Sequence, residues 1–216
     1  RKLFVMLVLM FSATAWAGEY EDGHAAYNKK DYAAAIKHWR KAADLGDANS
    51  QSSLGYMYFN GIGIQRDYKE ANRLYKLAAE QGETTAQSNL GINYYYGNGT
   101  KKDHAEAVRW FRLAANNGDV VALNQLGYMY LKGVSGVKQD LEEAYNLYMS
   151  AAEKGDVSAQ LQVGTFNYDG IGTKKDVEEA MLWYGLVAES GNAAAQTKLG
   201  YMYARGESVE INATEA

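Results

Sequence analysis

A glycine returns along this chain at an almost constant interval, at Gly46, Gly82, Gly118, Gly155 and Gly191. The steps between these glycines are 36, 36, 37 and 36 residues. Asp, Glu or Asn follows each one, so every pair predicts a left-handed glycine that ends one helix and a polar side chain that caps the next. A period of this length predicts an array of repeated helical units.

Each unit is predicted to contain two helices. Apolar residues at helical spacing predict a first helix that ends near Phe59. A turn with a Gly-x-Gly sequence follows, and Asp67 is placed to cap a second helix, as are its equivalents Asp103, Asp140 and Asp176. One such pair buries too little apolar surface to be stable alone, so we predict that the stacked array is the folding unit.

A second glycine recurs inside the first helix, at Gly55, Gly91, Gly127, Gly164 and Gly200. A glycine in mid-helix costs about 1 kcal/mol relative to alanine. Repetition of this cost predicts that a neighbouring helix approaches closely at each of these positions. The Gly-x-Gly turns, by contrast, follow helices rather than strands and lack a Gly-Lys-Ser/Thr ending, so they predict positive φ and not phosphate binding.

Composition excludes several classes of function. The net charge is −4 with a pI near 5.5, which argues against a nucleic-acid-binding protein. The chain has no Cys, so disulfides, thiolate zinc sites and thiol nucleophiles are absent. It also has no Pro, which suits an almost entirely helical chain.

The first 17 residues do not follow the repeat. Arg1 and Lys2 precede nine apolar residues, and small residues then stand at Ala15 and Ala17. This order is typical of a signal peptide cleaved after Ala17. The alternative is an uncleaved anchor, but a membrane span needs about 20 apolar residues. We therefore expect a periplasmic or secreted protein without a membrane span after cleavage.

The domain organisation follows from the period. Residues 18–45 predict a shorter N-terminal capping pair, and residues 191–216 carry a fifth unit that stops one turn into its second helix. We expect that this chain is truncated there, the alternative being a natural end. The full predicted order is a signal peptide at 1–17, the capping pair at 18–45 and units at 46–81, 82–117, 118–154, 155–190 and 191–216.

These residues resemble the Sel1-like repeat, a relative of the tetratricopeptide repeat. The resemblance is carried by Ser50-Gln51-(x)2-Leu54-Gly55-Tyr56-Met57-Tyr58, by Ala159-Gln160-(x)2-Val163-Gly164 and by the turn and second helix from Gly61 to Ala79. It covers about residues 19–216. The capping pair looks closer to a tetratricopeptide unit.

The resemblance implies an all-α fold, a right-handed α/α superhelix (solenoid) with first helices on its concave side. Members usually serve as adaptors that hold proteins or peptides, and exported bacterial members are implicated in envelope assembly, exopolysaccharide export and host contact. Cysteine-rich members are reported to bind penicillin-like ligands. That activity is not carried over, because this chain has none of their paired cysteines.

Neither catalytic nor metal-ligating residues are predicted. His24, His38 and His104 lie in different units, whereas metal binding or acid–base catalysis needs such groups to converge. The recurring Asp residues are spread along the array by the repeat, so we interpret them as helix caps. We expect no cofactor and no small-molecule ligand.

The 18 tyrosines fall into two predicted classes. Framework tyrosines, such as Tyr58, Tyr75, Tyr94, Tyr130, Tyr148, Tyr184 and Tyr203, are expected in the core. Residues one or four positions after the helix glycine are expected on the concave face, where tyrosine suits recognition. The alternative is that these residues only pack sideways. The predicted partner-binding set, with its polar neighbours, is Tyr27, Tyr56, Phe59, Asn60, Ile92, Tyr95, Asn124, Tyr128, Leu131, Lys132, Tyr168 and Tyr201.

Two functions remain open from the sequence. The first is a non-catalytic scaffold in the bacterial envelope or outside the cell, which binds a peptide or protein along the concave face. The alternative is an envelope factor linked to peptidoglycan or exopolysaccharide, as a glycan binder or weak hydrolase. Glycosidase chemistry wants two carboxylates about 5–10 Å apart, and on the predicted concave face Asp169 stands alone.

Overall fold

The structure, a computed structural model, describes residues 18–134 and 136–207. The predicted signal peptide and the predicted second helix of the fifth unit lie outside these residues. The described part of the chain forms eleven helices and no strands. In chain order they are α1 (residues 18–28), α2 (Tyr32–Asp44), α3 (Ala48–Asn60), α4 (Tyr68–Glu80), α5 (Thr84–Tyr96), α6 (His104–Asn116), α7 (Val120–Lys132), α8 (Leu141–Glu153), α9 (Val157–Asp169), α10 (Val177–Glu189) and α11 (Ala193–Ala204).

Polar side chains cap the helices where the sequence predicts. Asp67 Oδ1 accepts hydrogen bonds from the backbone N–H groups of Lys69 and Glu70 at the start of α4. The equivalent carboxylates cap α2, α6, α8 and α10 in the same way. Each cap satisfies backbone donors that the helix leaves unpaired, a contribution of about 1 kcal/mol. The interpretation of the recurring Asp residues as caps is therefore confirmed.

The helix glycines make room for an aromatic ring of the following helix. A Cβ built on Gly91 would lie 2.7 Å from the ring of Phe111, closer than real Cβ contacts allow. The same contact recurs between Gly55 and Tyr75, Gly127 and Tyr148, and Gly164 and Tyr184, at 2.7 to 3.1 Å. The predicted close approach of a neighbouring helix is thus confirmed at these four positions, and the aromatic partner lies about 20 residues further along the chain. At Gly200, the fifth position, a Cβ would meet nothing within 4 Å.

The turn glycines combine a left-handed backbone with close packing. Gly61 and Gly63 have φ values of 68° and 67°, as predicted for this turn. In the next turn, a Cβ on Gly99 would meet the backbone of Tyr68 at 2.5 Å. Since Tyr68 is the first residue of α4, the glycine lets one turn pack against the preceding helix pair.

Buried glutamines join successive helix pairs. Gln51, Gln87 and Gln160 each donate from Nε2 to the carbonyl eight residues earlier, at 3.2 Å. The acceptors are Ala43, Ala79 and Ala152, in the last turn of the preceding second helix. Each of these carbonyls also accepts a backbone N–H from the glycine that follows the helix, so the glutamine adds a second hydrogen bond there and ties its own helix to the preceding one.

The described residues divide into two compact units, 18–114 (unit 1) and 115–207 (unit 2), with the boundary in the last turn of α6. The core of unit 1 contains Trp39, Leu54, Met57 and Leu74 in one cluster and Tyr75, Leu90 and Trp110 in another. The core of unit 2 contains Tyr148, Val163 and Phe166, and then Tyr184 and Met202. In both units the Ala-rich helix ends are buried between these large side chains.

The framework tyrosines are not uniformly buried. Tyr75, Tyr148 and Tyr184 are buried as predicted, whereas Tyr58, Tyr94 and Tyr130 are only partly buried. The prediction is wrong for Tyr203, which is 58% exposed. Tyr58 packs against two core clusters, which together contain buried residues of α2 and α4. For Tyr203, the helix equivalent to α4 would fall outside the described residues.

Candidate functional site

The residues one position after the helix glycine point outward. Tyr56 is 44% exposed, Tyr128 42% and Tyr201 57%, while Ile92 is half-buried. Their exposure follows from helix geometry, because the neighbouring Leu54 and Met57 face the core. We call the outward side of α1, α3 and α5 the first-helix face of unit 1, and the outward side of α7, α9 and α11 the first-helix face of unit 2.

The residues four positions after the helix glycine pack within their own helix pair. The rings of Phe59 and Tyr68 pack edge to face, with their centres 5.0 Å apart. Tyr95 stacks on His104 with a distance of 4.9 Å between ring centres, and the ring centres of Tyr27 and Tyr32 are 5.6 Å apart. In each case the partner is the first residue of the second helix. Leu131 and Tyr168 are likewise half-buried against core clusters.

The predicted polar residues differ in their surroundings. Asn60 donates from Nδ2 to the backbone carbonyl of Tyr56 at 3.0 Å, so its amide serves its own helix. Asn124 is half-buried and Lys132 is exposed. Of the predicted set, the structure brings Tyr27 and Tyr56 together at a cavity in unit 1, and Tyr168 and Tyr201 at another in unit 2.

The cavity of unit 1 has a volume of about 270 Å³ and lies across α1, α3 and α5. We call it the unit 1 cleft. Its lining combines aromatic rings from α1, α2 and α3 with small polar side chains from α3 and α5 and with Glu83, which caps α5. Its lining residues are Tyr20, His24, Tyr27, Trp39, Asn49, Ser52, Ser53, Tyr56, Glu83, Thr85 and Asn89.

Carboxylates lie near the Tyr20 ring of the cleft, and one of them, Glu83, lines it. Burial raises the pKa of the Tyr20 hydroxyl, and the carboxylates of Glu21, Asp47 and Glu83 raise this pKa further. Burial and the neighbouring Tyr56 raise the pKa of Tyr27. Both phenols therefore stay neutral over the physiological range and present rings and hydroxyls, while the charge comes from the carboxylates.

Most of the cleft was missed by the sequence analysis. Asn49, Ser52, Ser53 and Asn89 are small polar residues without an aromatic ring, and nothing in their chemistry marks them. Their spacing indicates a shared surface, since Asn49, Ser53 and Tyr56 lie on one side of α3. The helical stripe that contains Tyr56 includes Asn49, Ser52 and Ser53, and Asn89 is the equivalent of Ser53 one repeat later.

The cavity of unit 2 has a volume of about 290 Å³ and lies against α9, α10 and α11. Tyr168, Tyr184 and Tyr201 line it, together with Asp169, Thr197, Lys198 and Met202. The ammonium of Lys198 lies 5.2 Å from the centre of the Tyr184 ring. This cavity therefore already holds a cation of the chain itself.

The histidines stay apart, as their sequence positions indicate. His24 Nδ1 lies 3.1 Å from Asn28 Nδ2. His38 forms a hydrogen bond with Glu19, with 2.8 Å between Nδ1 and Oε2, and His104 stacks on Tyr95. Within residues 18–134 and 136–207, no group of three or more acidic or His side chains is placed to hold a metal ion. None of the helices in the same ranges combines the length and apolar character needed to cross a membrane.

The repeated glycine contact and the capped helix pairs define a helical-repeat scaffold. A family model described as Sel1 repeat matches residues 12–47, 48–83, 84–119, 120–156, 157–192 and 193–216. The chain therefore belongs to the Sel1 repeat family. Proteins of this family are generally protein-interaction scaffolds and are typically not catalytic.

Solved structures give the same result for the fold. One is c5321, described as a protective antigen of uropathogenic Escherichia coli strains displaying an SLR fold, at 35% identity and a TM-score of 0.85. The match covers 88% of this chain and 42% of that one. A Sel1 repeat protein of Oxalobacter formigenes is 41% identical, with a TM-score of 0.77 over 87% of this chain and 76% of its own.

A third structure, described as a putative Sel1 repeat protein of Klebsiella pneumoniae, shares the fold at 20% identity and a TM-score of 0.55. It is matched over 87% of this chain and 93% of its own. A search of curated proteins returned no match. The predicted fold class, an all-α superhelical solenoid of Sel1-like helix pairs, is confirmed by these likenesses.

Proposed function

We propose that this protein is a periplasmic or secreted scaffold that holds a peptide segment of a partner protein on the first-helix face of unit 1. The observation that carries the proposal is the unit 1 cleft, where the exposed Tyr56 and the neighbouring Tyr27 meet polar side chains of α3 and α5. Exposed tyrosine supplies a large rigid surface with a polar tip, which suits recognition of another chain.

The distribution of charge on α3 and α5 supports this side of unit 1 over the side formed by α4 and α6. The 13 residues of α3 and the 13 residues of α5 include no Lys, Arg, Asp or Glu. The second helices α4 and α6 of the same unit carry several charged residues each. Burying a charge against a partner is costly unless it is paired, and interface cores are depleted of charge and rich in tyrosine.

The size of the cleft favours a peptide side chain over a larger ligand. Clefts for drug-sized molecules are about 300–1,000 Å³ and enclose most of the ligand. The unit 1 cleft, at about 270 Å³, is smaller and lies across the outer faces of three helices. It therefore suits a single anchoring side chain, with the rest of the peptide lying over the neighbouring helices.

The proposed location rests on the sequence of residues 1–17 and on one relative. These residues have the charged start, apolar stretch and Ala-x-Ala ending of an export signal. The similar E. coli protein is described as a protective antigen, which supports a location that is accessible from outside the cell. The partner is then expected to be another envelope or extracellular protein.

The proposal is tested by replacing Tyr56 with alanine. We expect Tyr56→Ala to reduce crosslinking to the partner by about tenfold or more in the native envelope, because a hot-spot residue costs about 2 kcal/mol or more when truncated and tyrosine is enriched among hot spots. The melting temperature should change by only a few degrees, since the side chain is 44% exposed. The measurement is quantitative crosslinking with mass spectrometry, beside a thermal melt.

Tyr96→Ala is the matched control, because Tyr96 is 61% exposed on the same unit but does not line the cleft. Equal loss of crosslinking in both variants would contradict the proposal. Sedimentation of the protein with purified cell wall, unchanged by Tyr56→Ala, would instead favour the glycan-linked alternative. Release of soluble wall fragments would contradict a non-catalytic role.

A further inference from the structure

The unit 1 cleft combines aromatic walls with an acidic edge. Four aromatic residues line it, and Glu83 is its one acidic lining residue. None of its eleven lining residues is Lys or Arg. A cavity with this lining differs from the cavity of unit 2, where Lys198 already lies beside the Tyr184 ring.

The carboxylates near the cleft outweigh the partial positive charges of the helix N-termini beside them. Glu83 caps α5 and Asp47 caps α3, so each carboxylate lies at the positive end of a helix. A helix N-terminus carries about half an elementary positive charge, which offsets only about half of each carboxylate. Glu21 adds a further carboxylate within electrostatic reach of Tyr20. The helix dipoles therefore offset only part of the negative charge of the carboxylates near Tyr20.

Carboxylates and aromatic rings attract the same kind of ligand. The face of an aromatic ring is negative and binds an ammonium or guanidinium group within about 6 Å. This chain uses such contacts elsewhere, with the guanidinium of Arg109 lying 4.2 Å from the centre of the Trp110 ring. A neutral sugar would use the rings but gain nothing from Glu83, whereas a cationic side chain uses both.

We propose that the unit 1 cleft seats a basic side chain of the bound peptide, an arginine or a lysine, against its aromatic rings and Glu83. The inference rests on the proposed peptide-binding function and names the anchor residue of the partner. Both carboxylate oxygens of Glu83 accept backbone N–H groups of α5, from Thr85 and Ala86. A carboxylate has about four acceptor positions, so Glu83 can also accept from a bound cation.

The test is selection of a random-peptide phage library on the full chain. We expect the selected peptides to share a basic residue at one position. Resynthesis with citrulline in place of arginine, or norleucine in place of lysine, should then weaken binding about tenfold, because the shape is kept and the charge is lost. Fluorescence titration of the synthetic peptides gives the affinities.

Glu83→Gln identifies the acidic partner. It should weaken binding of the arginine peptide about fivefold and leave binding of the citrulline peptide unchanged. An amide at this position still caps a helix, as Asn192 does at the start of α11, so the fold should persist. Asp156→Asn is the matched control, because Asp156 caps α9 and does not line the cleft.

The results of these experiments distinguish failure of the basic anchor from failure of the proposed peptide-binding function. Peptides that bind equally well with arginine and citrulline would overturn the basic anchor but keep the peptide-binding function. A library that yields no binder, together with binding of the protein to wall glycans, would overturn both.

Discussion

At the scale of single residues, the helix glycines show how sequence becomes packing. A side chain on Gly91 would overlap the ring of Phe111, which is fully buried. The glycine is therefore required by volume, and its conformational cost of about 1 kcal/mol is the cost of bringing α5 and α6 close together.

Replacement of this glycine tests the volume argument. Gly91→Ala gains helix propensity, but its Cβ at 2.7 Å from Phe111 must displace a buried ring, so we expect a net loss of about 1–3 kcal/mol. Gly185→Ala is the control, because a Cβ there meets nothing within 4 Å and should stabilise the protein by up to about 1 kcal/mol. Denaturant unfolding measures both changes. A neutral Gly91→Ala would contradict the requirement for space.

The limits of sequence reasoning also appear at this scale. Tyr56 and Phe59 are equally reasonable surface candidates on a helical wheel, yet Tyr56 is exposed and Phe59 packs against Tyr68. The difference arises because the turn after α3 returns the chain so that α4 begins beside Phe59. Turn geometry of this kind brings together residues nine positions apart, and helix periodicity alone does not contain it.

At the scale of elements, the period and the caps were predictable, whereas the role of the glutamines was not. Gln51 and Gln87 are polar, yet both are buried and join their helix to the preceding one. The two glutamines differ in the hydrogen bonding of their side-chain oxygen, Oε1. Gln51 Oε1 accepts from Gln81 at 2.8 Å, while Gln87 Oε1 has no hydrogen-bond partner within the described residues.

This difference predicts unequal effects of the same substitution. Gln87→Leu loses one hydrogen bond but also removes a buried unpaired oxygen, so we expect a change within about 1 kcal/mol. Gln51→Leu loses two hydrogen bonds and should cost about 1 kcal/mol more. Leu123 occupies the same position in α7, which shows that leucine fits there. Equal losses in a denaturant series would mean that the second bond contributes nothing.

At the scale of the whole molecule, stability is expected to arise from contacts between neighbouring helix pairs. In repeat proteins each pair contributes an intrinsic term and a term for its interface with the next. Leu126 and Leu199 occupy the same register position, one residue before the helix glycine, in α7 and α11. Leu126 is fully buried, whereas Leu199 is half-buried.

Truncation of these two leucines tests whether burial between helix pairs is the source of stability. Leu126→Ala should cost about 2–5 kcal/mol, because it removes apolar contacts and leaves a cavity. Leu199→Ala should cost visibly less, since part of its side chain already contacts solvent and its surroundings can relax. Urea unfolding followed by circular dichroism gives both values, provided that the slope with denaturant is the same in each variant. Equal costs would show that the identity of the residue in the repeat, and not its burial by neighbouring helices, sets its contribution.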